Sequence, residues 1–416
     1  MTTAPEGPVV VVGAGVAGVR LVRRLRARGY TGRVVLVDSQ QQLPYDRPPL
    51  SKGVLRGEQD LPVLLDADAL VSLAVDWRPG VRAVGLDTSA RLVLLDGGES
   101  IRYDAVVLAT GARARMLPGL ASQVLRTWED ASRLRDRLTE DAALVVVGAG
   151  VVGCEVAASL RSRGVAVHLV DPLPAPMIRV LGPVIGREAI TLHQDHGVNL
   201  HLGTTVESYA DGEVLLANGT WLRADVVLAA IGTEPDLAWL AGSGLHIDNG
   251  IWCDDEQRTS APDVFAVGDA AAPGGRRAEH WTAATQQADR AVASLLGTRA
   301  PGPEPHYWWS DQYDVKLQGL GEIAEADDLV VGRAGLGLIG LFGRQGRLIG
   351  AVGVAATAQL MRLRGAVLDG SDLAPAAADL DDARWVSPHG DADGDVDREW
   401  GRQWRAALLS TVNEAS

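Results

Sequence analysis

Apolar and polar positions along the chain fall into an arrangement that occurs twice. Residues 8–12 are an unbroken apolar, valine-rich run of the kind that fits a strand buried on both faces, and Gly13-Ala14-Gly15-Val16-Ala17-Gly18 follows at once, then a helical stretch to Arg28. Residues 144–147, then Gly148-Ala149-Gly150-Val151-Val152-Gly153 and a helix to Arg163, repeat it. Each copy closes with a second apolar strand ending in an acid, residues 34–37 with Asp38 and residues 165–170 with Asp171. Two further apolar strands, 104–111 and 225–232, end in glycine (Gly111 and Gly232), where a chain can turn close beside a bound group. A third, 264–267, runs into Gly268-Asp269. Strands alternating with helices in this way predict an α/β chain with parallel sheets.

The positions have physical reasons. In each loop the first glycine makes the tight turn, the second lets backbone approach a pyrophosphate, and the third lets helix and strand pack closely. The helix N-terminus then offers free N–H groups and a positive dipole end. The acids fall 20 and 18 residues after the last glycine, where they can accept hydrogen bonds from ribose hydroxyls and repel a 2′-phosphate. Asp171 therefore points to NAD over NADP, and Asp38 to an unphosphorylated adenosine ribose. Two nucleotide sites with no separate substrate domain between them suggest FAD and NADH face to face, because hydride transfer needs the nicotinamide stacked on the flavin.

Composition narrows this further. At 416 residues the chain has room for two to three domains, and 39 basic against 53 acidic residues give a net charge of -14, the wrong sign for a nucleic-acid binder. Two cysteines, Cys154 and Cys253, form no CxxC or CxxxxC pair, so no disulfide scaffold, zinc ribbon or CxxxxC redox pair is expected and both read as small buried fillers. Lys52 and Lys316 are the only lysines among many arginines, which makes each informative. The N-terminus lacks a basic n-region and no apolar run reaches a membrane span, so a soluble, cytoplasmic protein without membrane contact is expected. Residues 366–416 carry nine aspartates and two glutamates against four arginines; they read as an acidic linker around 391–397 followed by a short amphipathic helix over 398–410.

Four strings carry a resemblance: 44–52 (PYDRPPLSK), 109–113 (ATGAR), 267–269 (VGD) and 309–318 (WSDQYDVKLQ). With them the chain resembles the FAD-dependent, NADH-using ferredoxin reductases of bacterial oxygenase systems, over about residues 9–363. The resemblance implies two Rossmann-like FAD/NAD(P)-binding domains of the glutathione-reductase kind plus a C-terminal α+β domain. The FAD domain would comprise residues 1–115 and 243–306, the NAD domain 116–242, and the C-terminal domain with its acidic tail 307–416. FAD would be held by Gly13, Gly15, Ala17, Gly18, Asp38, Arg47, Lys52, Val81, Thr110, Arg126, Asp269 (on a ribityl hydroxyl) and Trp281. NADH would be held by Gly148, Gly150, Gly153, Glu155, Asp171 and Gly232. Near the reacting centre Lys52 would pair with Glu155 and stabilise the charge arriving with the hydride, and Trp309 would lie between flavin and docked ferredoxin.

Some positions depart from the family. Relatives often carry an arginine at Ala175, where it grips the adenosine of NADH, an asparagine near Ala283, and an Asn-Arg-Pro turn at 352–356. The resemblance implies a monomer or homodimer that holds no metal and reduces a [2Fe-2S] ferredoxin, which then serves a cytochrome P450 or Rieske oxygenase. Docking of an acidic ferredoxin calls for a basic patch, for which Arg333, Arg344, Arg347, Arg362 and Arg364 are the candidates. The rivals are a relative acting on a small molecule and, in another class, a flavin-bound interaction or signalling protein.

Overall fold

The computed structural model describes residues 5–335 and 337–389, so the linker and helix expected at 391–397 and 398–410 lie outside the described residues. The chain forms two compact units, neither contiguous. The first takes the residues up to Pro49, with Gln59–Ala114 and Thr233–Gly302; the second takes Leu50–Glu58, Arg115–Gly232 and the residues from Pro303 on.

In the first unit a five-stranded parallel sheet runs Val75–Pro79, Val34–Asp38, Val9–Val12, Ala105–Leu108, Val264–Ala266. Strand order reverses between Val9–Val12 and Ala105–Leu108, so the carboxyl ends of these two strands, at Gly13 and Thr110, flank the switch point where such sheets bind ligands. Val9, Val10, Val11 and Val34 to Val37 are wholly buried because both faces are covered. The helices Val16–Ala27 and Trp281–Leu295 cover one face, and Ala284, Ala288 and Ala291 on the second helix supply the small contact surface. Arg20 and Arg24 both bind Asp289 across that helix pair. The three-stranded sheet Ala83–Asp87, Leu92–Leu95, Ser100–Arg102 covers the other face.

The second unit repeats the plan. Its parallel sheet runs Asn199–Leu202, Ala166–Asp171, Ala143–Val147, Val226–Ala229, with the antiparallel strands Val206–Ala210, Glu213–Leu216 and Trp221–Arg223 against Val145, Val147, Val170 and Val227. It also holds an antiparallel sheet in the order Tyr307–Gln312, Val315–Gly321, Arg347–Val354, Gly337–Arg344, Asp328–Ala334, Asp381–Val386. The helices Thr357–Arg362, Arg364–Asp369 and Leu373–Ala378 seal one side of that sheet with Leu360, Val367 and Leu373. No helix among the described residues is long and apolar enough to cross a membrane.

Candidate active site

In the first unit Gly13 leaves its strand at φ +108°, in the region that favours glycine, and a Cβ there would collide with the Ala109 carbonyl oxygen. A Cβ at Gly18 would collide with the Gly13 carbonyl oxygen, so the helix can lie against the turn only because residue 18 has no side chain. The helix Val16–Ala27 starts at Gly15 without a side-chain cap, which leaves its first N–H groups for another acceptor. Asp38 Oδ2 accepts the Ala14 N–H at 2.6 Å and Oδ1 the Gln40 N–H at 2.8 Å. Val81 comes to the same point by donating its N–H to the Asp38 carbonyl at 2.9 Å.

Around this loop stand the other first-unit candidates. Arg47 places Nη1 3.3 Å from where a Gly15 Cβ would be. Thr110 adjoins Gly13, and its Oγ1 is buried with no hydrogen-bond partner among the described residues. Ala17 packs on Gly268, whose turn carries Asp269. Trp281 donates from Nε1 to Asp46 Oδ1 at 3.1 Å, beside Arg47. An open cleft is lined by Ala14, Gly15, Asp38, Gln40, Tyr45 and Arg47. A guanidinium and uncapped amides suit a pyrophosphate, and a partnerless buried hydroxyl suits a ligand with polar atoms. Each Asp38 oxygen keeps acceptor capacity for a ribose. These residues fit a dinucleotide.

The second loop has the same geometry. Gly148 has φ +107° and abuts the Ala230 carbonyl, Gly153 abuts the Gly148 carbonyl, and the helix Val151–Arg161 begins uncapped at Gly150. A Cβ at Gly150 or Gly232 would point into open space. Asp171 repeats the part of Asp38, accepting the Ala149 N–H at 2.7 Å and the Leu173 N–H at 2.8 Å. No arginine stands at Ala175, which is buried with its methyl group against Gly186.

The helix that follows carries Glu155, only 4% exposed in its side chain, and Lys52 Nζ lies 2.7 Å from its Oε1. Ser51 Oγ donates to Glu155 Oε2 at 2.5 Å and Ser310 Oγ to Oε1 at 2.8 Å, so three donors converge on one buried carboxylate. Ser159 Oγ donates to the Ser51 carbonyl at 2.7 Å and Arg163 to the Leu55 carbonyl at 2.9 Å, fastening the Lys52 segment to this helix. Of the residues assigned to flavin, Lys52 and Arg126 belong to the second unit. Arg126 precedes the helix Trp128–Arg137 and donates its N–H to Asp130 Oδ2 at 3.0 Å.

Trp309 lies on the strand Tyr307–Gln312 next to Ser310. Strand alternation sends Ser310 and Gln312 inward, while Trp309 takes the other face and stacks on Tyr307 with ring centroids 5.8 Å apart. The arginines expected to form a basic patch have acidic neighbours. Arg347 pairs with Asp372 at 2.8 Å, Arg364 with Glu304 at 2.6 Å, Arg333 with Asp382 at 4.0 Å, and Arg344 with Glu325, so four of the five arginines have a carboxylate partner within their own unit. Both cysteines are wholly buried; burial pushes the Cys154 thiol well up, helped by Glu155 and Asp171, and pushes Cys253 up to about 12.

The chain of partners Ser51, Ser310, Gln312 and Met177 was not among the expected site residues. One signal for two of them is visible in the strand Tyr307–Gln312, where polar residues occupy the buried positions 310 and 312.

A profile of the pyridine nucleotide-disulphide oxidoreductase family matches residues 7–288, and one of the reductase C-terminal domain matches 307–384. The ferredoxin reductase component of chlorobenzene dioxygenase from Cupriavidus sp. (strain PS12) is 37% identical over 382 residues, which cover 86% of this chain and 93% of that protein. Rhodocoxin reductase of Rhodococcus erythropolis is 36% identical over 394 residues, 90% of this chain and 92% of that one. Among solved structures, a chain of the covalent putidaredoxin reductase–putidaredoxin complex superposes with a TM-score of 0.85 at 30% identity, over 97% of this chain and 99% of that one.

Proposed function

The chain belongs to the pyridine nucleotide-disulphide oxidoreductase family, and from that premise we propose that it is an NADH-dependent FAD oxidoreductase that reduces a [2Fe-2S] ferredoxin serving an oxygenase. The observation that carries this reading is the pairing of two equivalent nucleotide cradles with the absence of a usable thiol. Cys154 and Cys253 are buried and hard to deprotonate, so a disulfide relay of the kind the family name describes has no residues here. Electrons then have to leave directly from the flavin.

In this reading residues 1–115 and 243–306 form the FAD domain, 116–242 the NAD domain and 307–416 the C-terminal domain. Bound in the first cradle, FAD supplies acceptance of a hydride and release of its electrons singly. Arg47 and the loop amides would hold the pyrophosphate, Asp38 the ribose, and Thr110, Val81, Asp269 and Trp281 the rest. In the second cradle Asp171 holds the adenosine ribose of NADH and repels the 2′-phosphate of NADPH. The Lys52 ammonium, steadied by Glu155, offers a compact positive charge where negative charge develops. Because four of the five candidate arginines have carboxylate partners, docking of the ferredoxin rests on the aromatic face at Trp309 more than on a positive field, and its salt dependence is shallow.

The test is direct. Purified protein should be yellow, bleach anaerobically with NADH and much less with NADPH, and reduce cytochrome c rapidly only when ferredoxin is added. A colourless preparation that FAD cannot reconstitute overturns the proposal. Rapid turnover with a small acceptor and none with ferredoxins replaces it with the small-molecule reading.

A further inference from the structure

Within the second unit a series of buried polar side chains leads away from the Lys52–Glu155 pair. Gln312, wholly buried, sets Nε2 3.0 Å from Ser310 Oγ and 3.0 Å from Met177 Sδ. Ser310 donates onward to Glu155. Met177, held at φ +53°, donates its backbone N–H to the Ala149 carbonyl at 2.7 Å, inside the second glycine loop. The two N–H groups of a single amide therefore face the charge pair in one direction and the nucleotide loop in the other.

The far side of the amide is also occupied. Gln312 Oε1 and His193 Nε2 are both buried with no hydrogen bond of their own among the described residues, and the Gln312 side chain favours the His193 proton against the burial that opposes it. His193 Nδ1 lies 3.0 Å from the Tyr313 hydroxyl. Tyr313 sits at φ +52° at the tip of the hairpin joining Tyr307–Gln312 to Val315–Gly321, and its ring stacks on His196 at 3.6 Å. Gln312 donates to Ser310 and Ser310 to Glu155, and donors aligned in this way reinforce one another.

We propose that Gln312 is a positioning residue that couples the second glycine loop to the Glu155–Lys52 pair, so that a nucleotide seated on the loop fixes the carboxylate and, through it, the ammonium. The inference rests on the reading of the second cradle as an NADH site. A neutral amide is the group for this place: leucine would fill the volume without the donors, and a carboxylate would face Glu155 across Ser310.

A double-mutant cycle on the holoprotein tests the coupling, with Gln312→Leu, Glu155→Gln and both together. Two quantities are read: the dissociation constant of NAD+ by calorimetry, without turnover, and the rate at which NADH bleaches the flavin anaerobically. Gln312→Leu is expected to worsen each about tenfold, the equivalent of one net hydrogen bond, and to add less than about twofold once Glu155 is Gln. Should Gln312→Leu fail to fold, Gln312→Glu serves: its loss should be larger and should be relieved by Glu155→Gln. Losses that multiply in the double variants, or a Gln312→Glu defect that Glu155→Gln does not relieve, overturn the coupling while leaving the NADH site standing. A native protein that neither binds NAD+ nor bleaches with NADH overturns the site and the coupling together.

Discussion

The two glycine loops share a backbone and differ in what surrounds it. Each turns at a glycine with φ near +108° or +107°, each packs a glycine on the turn's own carbonyl, and each ties its second residue to an aspartate. The first adds a guanidinium at its mouth and a helix whose outer face carries Arg20 and Arg24. The second has the methyl group of Ala175 turned into the protein and a helix buried from Gly153 to Leu160, which carries Glu155 inside. Under the proposed function the duplicated part recognises a nucleotide and the unduplicated neighbours set how long it stays: a charged clamp suits a resident group, and its lack suits one that must exchange each cycle.

That contrast can be broken most forcefully at the third glycines. Gly18→Ala should cut flavin content more than a hundredfold in affinity terms and leave NAD+ binding measurable, and Gly153→Ala should do the reverse, each by strain against a backbone oxygen of about 3 kcal/mol. Flavin absorbance per protein and NAD+ calorimetry check both, and a crossed result would exchange the two loops. Acid is the next lever. His193 is fully buried in the second unit, and its conjugate acid is pushed down from the usual 6.5 to about 4, first by burial. Between those values the unfolded chain binds more protons, so stability is present above pH 6.5 and falls by about 3 kcal/mol as pH drops to 4. Denaturant melts across that range should show the slope, and His193→Gln should flatten it.

Smaller effects sharpen the comparison. Arg47→Ala should weaken flavin retention by about 2 kcal/mol while leaving the NAD+ dissociation constant unchanged, as equilibrium dialysis and calorimetry would show. Ala175→Arg, which restores the residue that relatives often carry, should not tighten NAD+ binding. Its side chain would start from a buried position against Gly186, and the cost should appear as about 1 kcal/mol in thermal melts.

Much of this was legible in the sequence, for reasons that particular residues make plain. The valine runs at 9–12 and 34–37 declare double burial, and glycines followed by an acid at fixed spacing declare a nucleotide loop, because all of that physics lies within one βαβ unit. Lys52 stood out as one of two lysines. Ser51, Ser310 and Gln312 lie in the strings that carry the resemblance, but neither their convergence nor the part of Met177 could be read there, because periodicity within an element says nothing about which distant element it will meet. The neighbours of the arginine patch were not legible for a related reason: net charge cannot reveal that Asp372, Glu304, Asp382 and Glu325 each stand beside one arginine.

The interleaving of the two units constrains the order in which the chain is made. The second unit's parallel sheet is complete once Val226–Ala229 has left the ribosome, whereas the first unit still lacks its strand Val264–Ala266 and the helix that supplies Ala284, Ala288, Ala291 and Leu295. The earlier-synthesised core must therefore wait for the later one. During that interval the apolar faces of Val9–Val12 and the helix Val16–Ala27 are exposed to chaperones and to aggregation, and slow translation after Gly232 would lengthen the exposure.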